Sequence, residues 1–166
     1  RELIDIEGIK TWVDNNDQDG KRPESITIHL YKNGEYVISK KVTAADNWSY
    51  SFTDLYKYEV GAEGTTEIIY TVTEDEVVGY TTKIDGYNIT NTHEIEKVSV
   101  SGIKTWDDAN NQDGKRPSSI TINLLADGEI VDSKEVTAET NWTYTFEDLD
   151  KYENGVEIVY TITEDA

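Results

Sequence analysis

Three polar residues fall on the apolar faces of candidate β-strands, and together they are the ingredients of an amide exchange. Side chains two apart share one face of a strand. Lys10 therefore lies with Ile4, Ile6, Gly8 and Trp12, opposite Asp5 and Glu7. Glu74 lies with Ile68, Tyr70 and Val72, and Asn91 with Tyr87 and Ile89. A lysine, a carboxylate and an amide on buried faces are costly unless they meet. One outcome is a buried Lys–Glu ion pair with the asparagine hydrogen-bonded to it, or strand-end residues that reach water. The other outcome is chemistry. Burial among Trp and Ile favours the neutral amine of a lysine, which is a nucleophile. Burial likewise favours a protonated carboxyl, which can polarise an amide carbonyl and relay protons. The amine would attack the side-chain carbon of Asn91, expel ammonia and leave a Lys10–Asn91 isopeptide crosslink. Such a reaction needs no metal and no cofactor, and it occurs once.

These residues have to be positioned by strands, and the strands come in two copies. Ile9-Lys-Thr-Trp12 recurs as Ile103-Lys-Thr-Trp106, and Gln18-Asp-Gly-Lys-Arg-Pro23 as Gln112-Asp-Gly-Lys-Arg-Pro117. Asn47-Trp48 returns as Asn141-Trp142, and Tyr70-Thr-Val-Thr-Glu-Asp75 as Tyr160-Thr-Ile-Thr-Glu-Asp165. The offset is 94 residues up to Gly61/Gly155 and 90 from Tyr70/Tyr160, so the first copy carries four additional residues near Ala62–Thr65. Self-similarity at this period marks two copies of one module, here 1–95 and 96–166. The joint near His93–Lys97 holds no Gly, Pro or Ser run, which predicts a stiff pair of modules. Alternation and turn residues place strands in the first copy near 3–12, 25–32, 35–43, 47–53, 66–74, 79–84 and 86–92. Asn33-Gly34 and Asp85-Gly86 supply the turns. No helical period appears. Seven short strands in under 100 residues read as a β-sandwich. Lys104 and Glu164 repeat the first two polar residues, but the second copy ends without counterparts of 77–94, hence without an asparagine equivalent to Asn91.

Composition narrows the field further. Fifteen Lys+Arg against 34 Asp+Glu give a formal charge of −19 and a pI near 4.3. A nucleic-acid binder needs a basic face, so that class is excluded, and attraction to anionic lipid is disfavoured for the same reason. No apolar run reaches the roughly 20 residues of a membrane span. Cysteine and methionine are absent and only two histidines occur, so no disulfide, thiolate or multi-histidine metal site is expected. Eleven Tyr and four Trp among many Thr, Val and Ile suit an acidic, all-β, extracellular chain. Beginning at Arg1, it reads as a piece of something longer.

The ordered motifs Lys10-Thr-Trp12, Asp19-Gly-Lys-Arg-Pro23, Asn47-Trp-Ser-Tyr-Ser-Phe52, Tyr70-Thr-Val-Thr-Glu74, Gly79-Tyr80 and Ile89-Thr-Asn91 resemble the B-type repeat of Gram-positive collagen adhesins, over essentially the whole chain. The resemblance implies two tandem seven-stranded, reverse-immunoglobulin-like (prealbumin-like) sandwiches, the second lacking its last strands. It also implies an autocatalytic isopeptide bond, with Lys10 as the reacting lysine, Glu74 as the catalytic acid and Asn91 as the reacting asparagine. Lys104 and Glu164 match in the second repeat, where the partner asparagine is missing, and Trp12 and Trp106 cover the two lysines. By the same resemblance the chain is a stalk module of a cell-wall-anchored surface adhesin, extracellular and not an enzyme acting on an external substrate. Its partners would be neighbouring repeats of the same parent chain, and host matrix protein only through other domains. A pilin shaft segment and a glycan- or matrix-binding sandwich are the alternative readings.

Three further signals have structural explanations. Asp14-Asn-Asn-Asp-Gln-Asp-Gly20 looks like a calcium loop, but Ile26 stands where the bidentate Glu belongs and Ala109 takes loop position 1 in the second copy. It reads as a polar inter-strand loop. Asn47, Asn88 and Asn141 match the glycosylation pattern but fall in expected strands. Trp48, Tyr50 and Phe52 alternate as a core face does, with Ser49 and Ser51 on the polar side.

Overall fold

A computed structural model describes all 166 residues. The chain is all-β and divides into two compact units, Arg1–Asp17 with Lys21–Glu94, and Gln18–Gly20 with Ile95–Ala166. The only helical elements are two three-residue 3-10 turns, Ala44–Asp46 and Ala138–Thr140. No helix is long and apolar enough to cross a membrane.

The first unit holds nine strands: β1 (Leu3–Val13), β2 (Ser25–Lys32), β3 (Glu35–Thr43), β4 (Ser49–Tyr56), β5 (Tyr58–Gly61), β6 (Gly64–Glu67), β7 (Tyr70–Glu74), β8 (Thr81–Asp85) and β9 (Asn88–Thr92). One sheet runs β4-β1-β9-β8 and the other β3-β2-β7, while β5 and β6 form a separate hairpin. Ile6, Tyr50, Phe52 and Ile89 from the first sheet join Ile28, Leu30, Val42 and Val72 from the second in one buried core. That is the expected sandwich. Its alternation is visible in β2, where Ile26, Ile28 and Leu30 are buried and their neighbours are half-exposed.

Strand β1 changes partner along its length. Leu3–Ile9 pairs antiparallel with β4, and Lys10–Val13 pairs parallel with β9. The first and last strands of the unit are therefore neighbours, and Lys10 stands where β1 passes from one to the other. Gly8 is required just before this point, because a Cβ there would drive into the Tyr50 ring and the Tyr87 carbonyl. The Tyr50 hydroxyl donates to that same carbonyl, and burial pushes it up to about 12.

Several boundaries differ from the sequence expectation. The expected strand at 66–74 is two strands, β6 and β7. Between them the Ile68 N–H donates to the Lys57 carbonyl and the Ile69 N–H to Asn33 Oδ1, so neither can join a ladder. The side-chain alternation nonetheless continues, with Ile68 and Tyr70 buried. The β5–β6 hairpin was not anticipated. The strand expected from residue 47 begins at Ser49, because Asn47 and Trp48 both adopt positive φ (54° and 53°) to close the 3-10 turn. Asn47 and Asn141 therefore lie in turns rather than strands, whereas Asn88 does open β9.

The second unit repeats the plan with β10 (Lys97–Ile103), β11 (Ser119–Ala126), β12 (Glu129–Thr137), β13 (Thr143–Asp150), β14 (Tyr152–Glu153), β15 (Val156–Glu157) and β16 (Tyr160–Glu164). The β14–β15 hairpin is shorter than β5–β6 because the four additional residues of the first copy fall in that turn. Strand β11 sits between β12 and β16, and β10 pairs with β13. β10 ends at Ile103, the counterpart of Ile9. In the first unit the residues beyond that point are the ones held by β9, so without a β9 partner the strand stops.

Candidate functional site

Lys10, Glu74 and Asn91 converge in the first unit, each carried there by the strand parity that put it on an inward face. Lys10 Nζ donates to Glu74 Oε2 at 2.7 Å, and both side chains are fully buried. Asn91, also fully buried, donates from Nδ2 to the other carboxylate oxygen, Oε1, at 2.8 Å. One carboxylate thus touches the amine with one oxygen and the amide nitrogen with the other. The Asn91 carbonyl oxygen is buried and has no hydrogen-bond partner. The Lys10 ammonium lies 4.2 Å from the centre of the Trp12 ring. Burial holds the Lys10 amine below its ordinary range, against the opposing pull of Glu74 and, more weakly, Asp14.

Amide orientation and carboxyl protonation are linked. An ionised carboxylate can only accept, so it takes the amide N–H as seen here. A protonated carboxyl donates, and a half-turn about the Asn91 Cβ–Cγ bond would set Oδ1 against it. Proton relay by Glu74 is available in the arrangement observed, and polarisation of the carbonyl requires that half-turn.

Thr82 completes the network and escaped the sequence reading. Its Oγ1 donates to Glu74 Oε1 at 3.1 Å and accepts from Asn91 Nδ2 at 2.8 Å. Thr81-Thr-Lys83 has no apolar face to draw attention to it. The signal that does exist is register: closing the β8–β9 hairpin with Asp85 opposite Asn88 sets Thr82 opposite Asn91.

Around the site the loop read as a polar connection forms a clamp. Asp14, 2% exposed, accepts from Arg22 Nη2 at 2.6 Å and Nε at 3.0 Å, from the Tyr80 hydroxyl at 2.7 Å and from the Asp17 N–H at 3.0 Å. Burial alone would raise the Asp14 carboxyl, but these donors outweigh it and hold the group below its usual range. The Tyr80 hydroxyl is pushed up by burial and by Asp14. Tyr80 and Trp48 both pack edge-on to Trp12 at 5.2 Å. The clamp therefore fixes the aromatic layer over Lys10.

A consequence for pH follows. Because the Asp14 carboxyl is depressed in the folded state, its contribution is complete above the unfolded carboxyl range and is lost as pH falls through the lower folded value. Asp14→Asn should lower the stability of the first unit at pH 7 by about 2–3 kcal/mol, since the buried partner of Arg22 loses its charge. The deficit should shrink as pH falls from about 4, the unfolded carboxyl value, toward the lower value at which the native carboxylate protonates. Thermal loss of the folded Trp12 indole resonance at the two pH values measures it, and an equal deficit at both would contradict the assignment.

The second unit reproduces part of the site. Lys104 Nζ forms an ion pair with Glu164 Oε2 at 2.9 Å, but their side chains are 24% and 39% exposed. Trp106 covers Lys104 at 4.6 Å and packs on Trp142. Arg116 clamps Asp108 as Arg22 clamps Asp14, at 2.6 Å. No residue takes the place of Asn91.

A second polar row, on the outer face of β2, has the order of a nucleophilic triad. His29 sits between Ser39 Oγ at 2.6 Å and Asp75 Oδ1 at 2.7 Å. The repeat supplies the control: Asn123 holds Ser133 and Asp165, each at 2.7 Å, in the same positions. An amide cannot act as a general base, so the shared geometry is that of a cross-strand hydrogen-bond row.

Comparison with known proteins gives a consistent result. A family model for the Cna protein B-type domain matches residues 6–92 and 100–166. A collagen adhesin of Staphylococcus aureus is 45% identical over an alignment of 163 positions that covers 94% of this chain and 13% of that protein. A crystal structure of two B repeat units of the collagen binding protein of Staphylococcus aureus aligns with a TM-score of 0.81 at 43% identity, covering 99% of this chain and 45% of that one. A structure of a single B repeat unit of the same protein gives 0.53 at 43% identity, covering 99% of this chain and 87% of that one.

Proposed function

Because this chain belongs to the Cna protein B-type domain family, we propose that it is a pair of stalk modules from a bacterial, cell-wall-anchored surface adhesin. The first module is locked by a Lys10–Asn91 isopeptide bond that it forms on itself. Its task is to hold a separate ligand-binding region, carried elsewhere in the parent chain, away from the cell. Contact with host matrix belongs to that region. The observation that carries this reading is the single buried carboxylate that touches both the amine and the amide.

The proton ledger closes within these groups. The Lys10 ammonium gives one proton to Glu74, which leaves a neutral amine and a neutral acid in place of a buried ion pair. Nζ attacks Cγ of Asn91 and the new C–N bond forms. As the Cγ–Nδ2 bond breaks, a second proton from Nζ passes to Nδ2, and ammonia departs. Glu74 ends protonated, so no charge remains buried. The low dielectric that makes an ion pair expensive thus favours the crosslinked product.

The intact mass of the folded chain tests this. It should be one ammonia, about 17 Da, below the sequence mass, because amide exchange by an amine nucleophile releases one ammonia. Only one is expected from residues 1–166, which hold no counterpart of Asn91 for Lys104. Tryptic digestion should yield a branched peptide joining Lys10 to Asn91. A folded chain with unshifted mass would overturn the proposal.

A further inference from the structure

Thr82 differs from the three groups it contacts in one respect. Lys10, Glu74 and Asn91 have buried side chains, whereas Thr82 lies on β8, the outer strand of its sheet, and is exposed. Its hydroxyl accepts a hydrogen bond from Asn91 Nδ2, the nitrogen that must leave, and donates one to Glu74 Oε1. It is also the cross-strand partner of Asn91, so backbone pairing rather than side-chain flexibility fixes its position. A hydroxyl is both donor and acceptor, which a relay between an acid and a departing amine requires.

We propose that Thr82 is a catalytic residue of crosslinking, holding the leaving nitrogen, passing it a proton and opening the path by which ammonia reaches water. This inference rests on the isopeptide reading above. In the relay the Thr82 hydroxyl turns so that both of its hydrogen bonds reverse: Glu74 donates to Oγ1 while Oγ1 donates its own proton to Nδ2, and Glu74 takes the second proton from Nζ in exchange. The Cγ–Nδ2 bond breaks, ammonia is complete, and Thr82 is restored with no net change. The departing molecule is then already beside the one exposed member of the network, at the open edge of the sheet.

The experiment uses the full chain, made by cell-free synthesis, chased, and quenched in acid at intervals for intact-mass measurement. Thr82→Val keeps the β-branched shape and removes the hydroxyl. It should slow the 17 Da loss by about a hundredfold, the lower end for a missing acid–base group. Thr82→Ser should restore the rate to within about threefold, because it returns the hydroxyl without the methyl. Tryptophan fluorescence confirms that each variant folds before its rate is compared. A wild-type chain that loses ammonia alongside a Thr82→Val chain that loses it equally fast would overturn the role of Thr82 alone. Equal slowing in the Val and Ser variants would assign Thr82 to packing and overturn the relay. A wild-type chain that never loses ammonia would overturn this inference together with the isopeptide reading.

Discussion

Glu74→Ala should give a chain that keeps its full sequence mass and whose first unit melts far below the wild type. Two terms add. Without the carboxylate there is no proton acceptor for Lys10, so the crosslink does not form. The loop it would close spans about 80 residues, and by chain entropy such a closure is worth about 4–5 kcal/mol. In addition, Lys10 is left buried without its partner, which costs about 3 kcal/mol more. For a unit of this size, the sum corresponds to a drop on the order of 30 °C. Lys10→Met separates the terms: it also forbids the crosslink but leaves no stranded ammonium, so its melting point should fall between the two. Calorimetry and intact mass on the three chains decide the matter. A Glu74→Ala chain that still loses 17 Da would remove Glu74 from the chemistry, and one with unchanged melting would remove the crosslink from the stability.

The second large effect concerns the second unit, in which β16 is the last strand within residues 1–166. Its lysine and glutamate are already paired at 2.9 Å, but both are partly open to water, and Lys104–Trp106 lie outside any strand. In the first unit the corresponding residues are held by β9, itself backed by β8. A synthetic peptide spanning 77–94 carries both strands and the asparagine. Added to the chain, it should dock in parallel beside Lys104–Asp107, desolvate the Lys104–Glu164 pair and react. Strand addition at an unpaired edge supplies the binding. The product is a covalent adduct on a denaturing gel, lighter than the sum of its parts by about 17 Da and absent from Lys104→Ala. On the proposed crosslink Lys10 is already consumed, so the first unit does not compete. Nuclear magnetic resonance evidence of the peptide bound in register without an adduct would overturn the assignment of Lys104 as reactive.

Why the sequence reveals the site so directly, and its surroundings less so, comes down to what alternation encodes. Period-two patterning states which face a side chain takes, and a polar residue on an apolar face stands out without any knowledge of topology. Lys10, Glu74 and Asn91 were visible for that reason, and the recurrence of Lys104 and Glu164 sharpened the contrast. Thr82 was hidden because edge strand β8 has no buried face, so nothing in 81–85 looks misplaced. Gly79-Tyr80 stood out as a motif, but the part Tyr80 plays was hidden because it lies in a connection, and its tie to Asp14 spans 66 residues. The break between β6 and β7 was missed because burial continues to alternate through Ile68 and Ile69 while the backbone partners change. Alternation reports sidedness, and only hydrogen bonding reports where a ladder ends. Repeat comparison helped where patterning could not: Asn123 in the position of His29 settles the Ser–His–Asp row as structural.

The parallel pairing of β1 with β9 sets an order in time. A chain delivered from its N-terminus presents Lys10 first and Asn91 last, with some eighty residues between them. Until β9 arrives, one flank of β1 has no neighbour, and an amine open to water stays protonated and inert at neutral pH. The nucleophile is therefore switched off throughout the interval in which it could meet a wrong partner, and it is switched on by the same event that supplies the right one. On the proposed crosslink, closure of the unit is the trigger, and the bond it would leave is a permanent record that closure took place. In a sample of many chains, the fraction lighter by one ammonia would then count those that have ever folded, whatever has happened to them since.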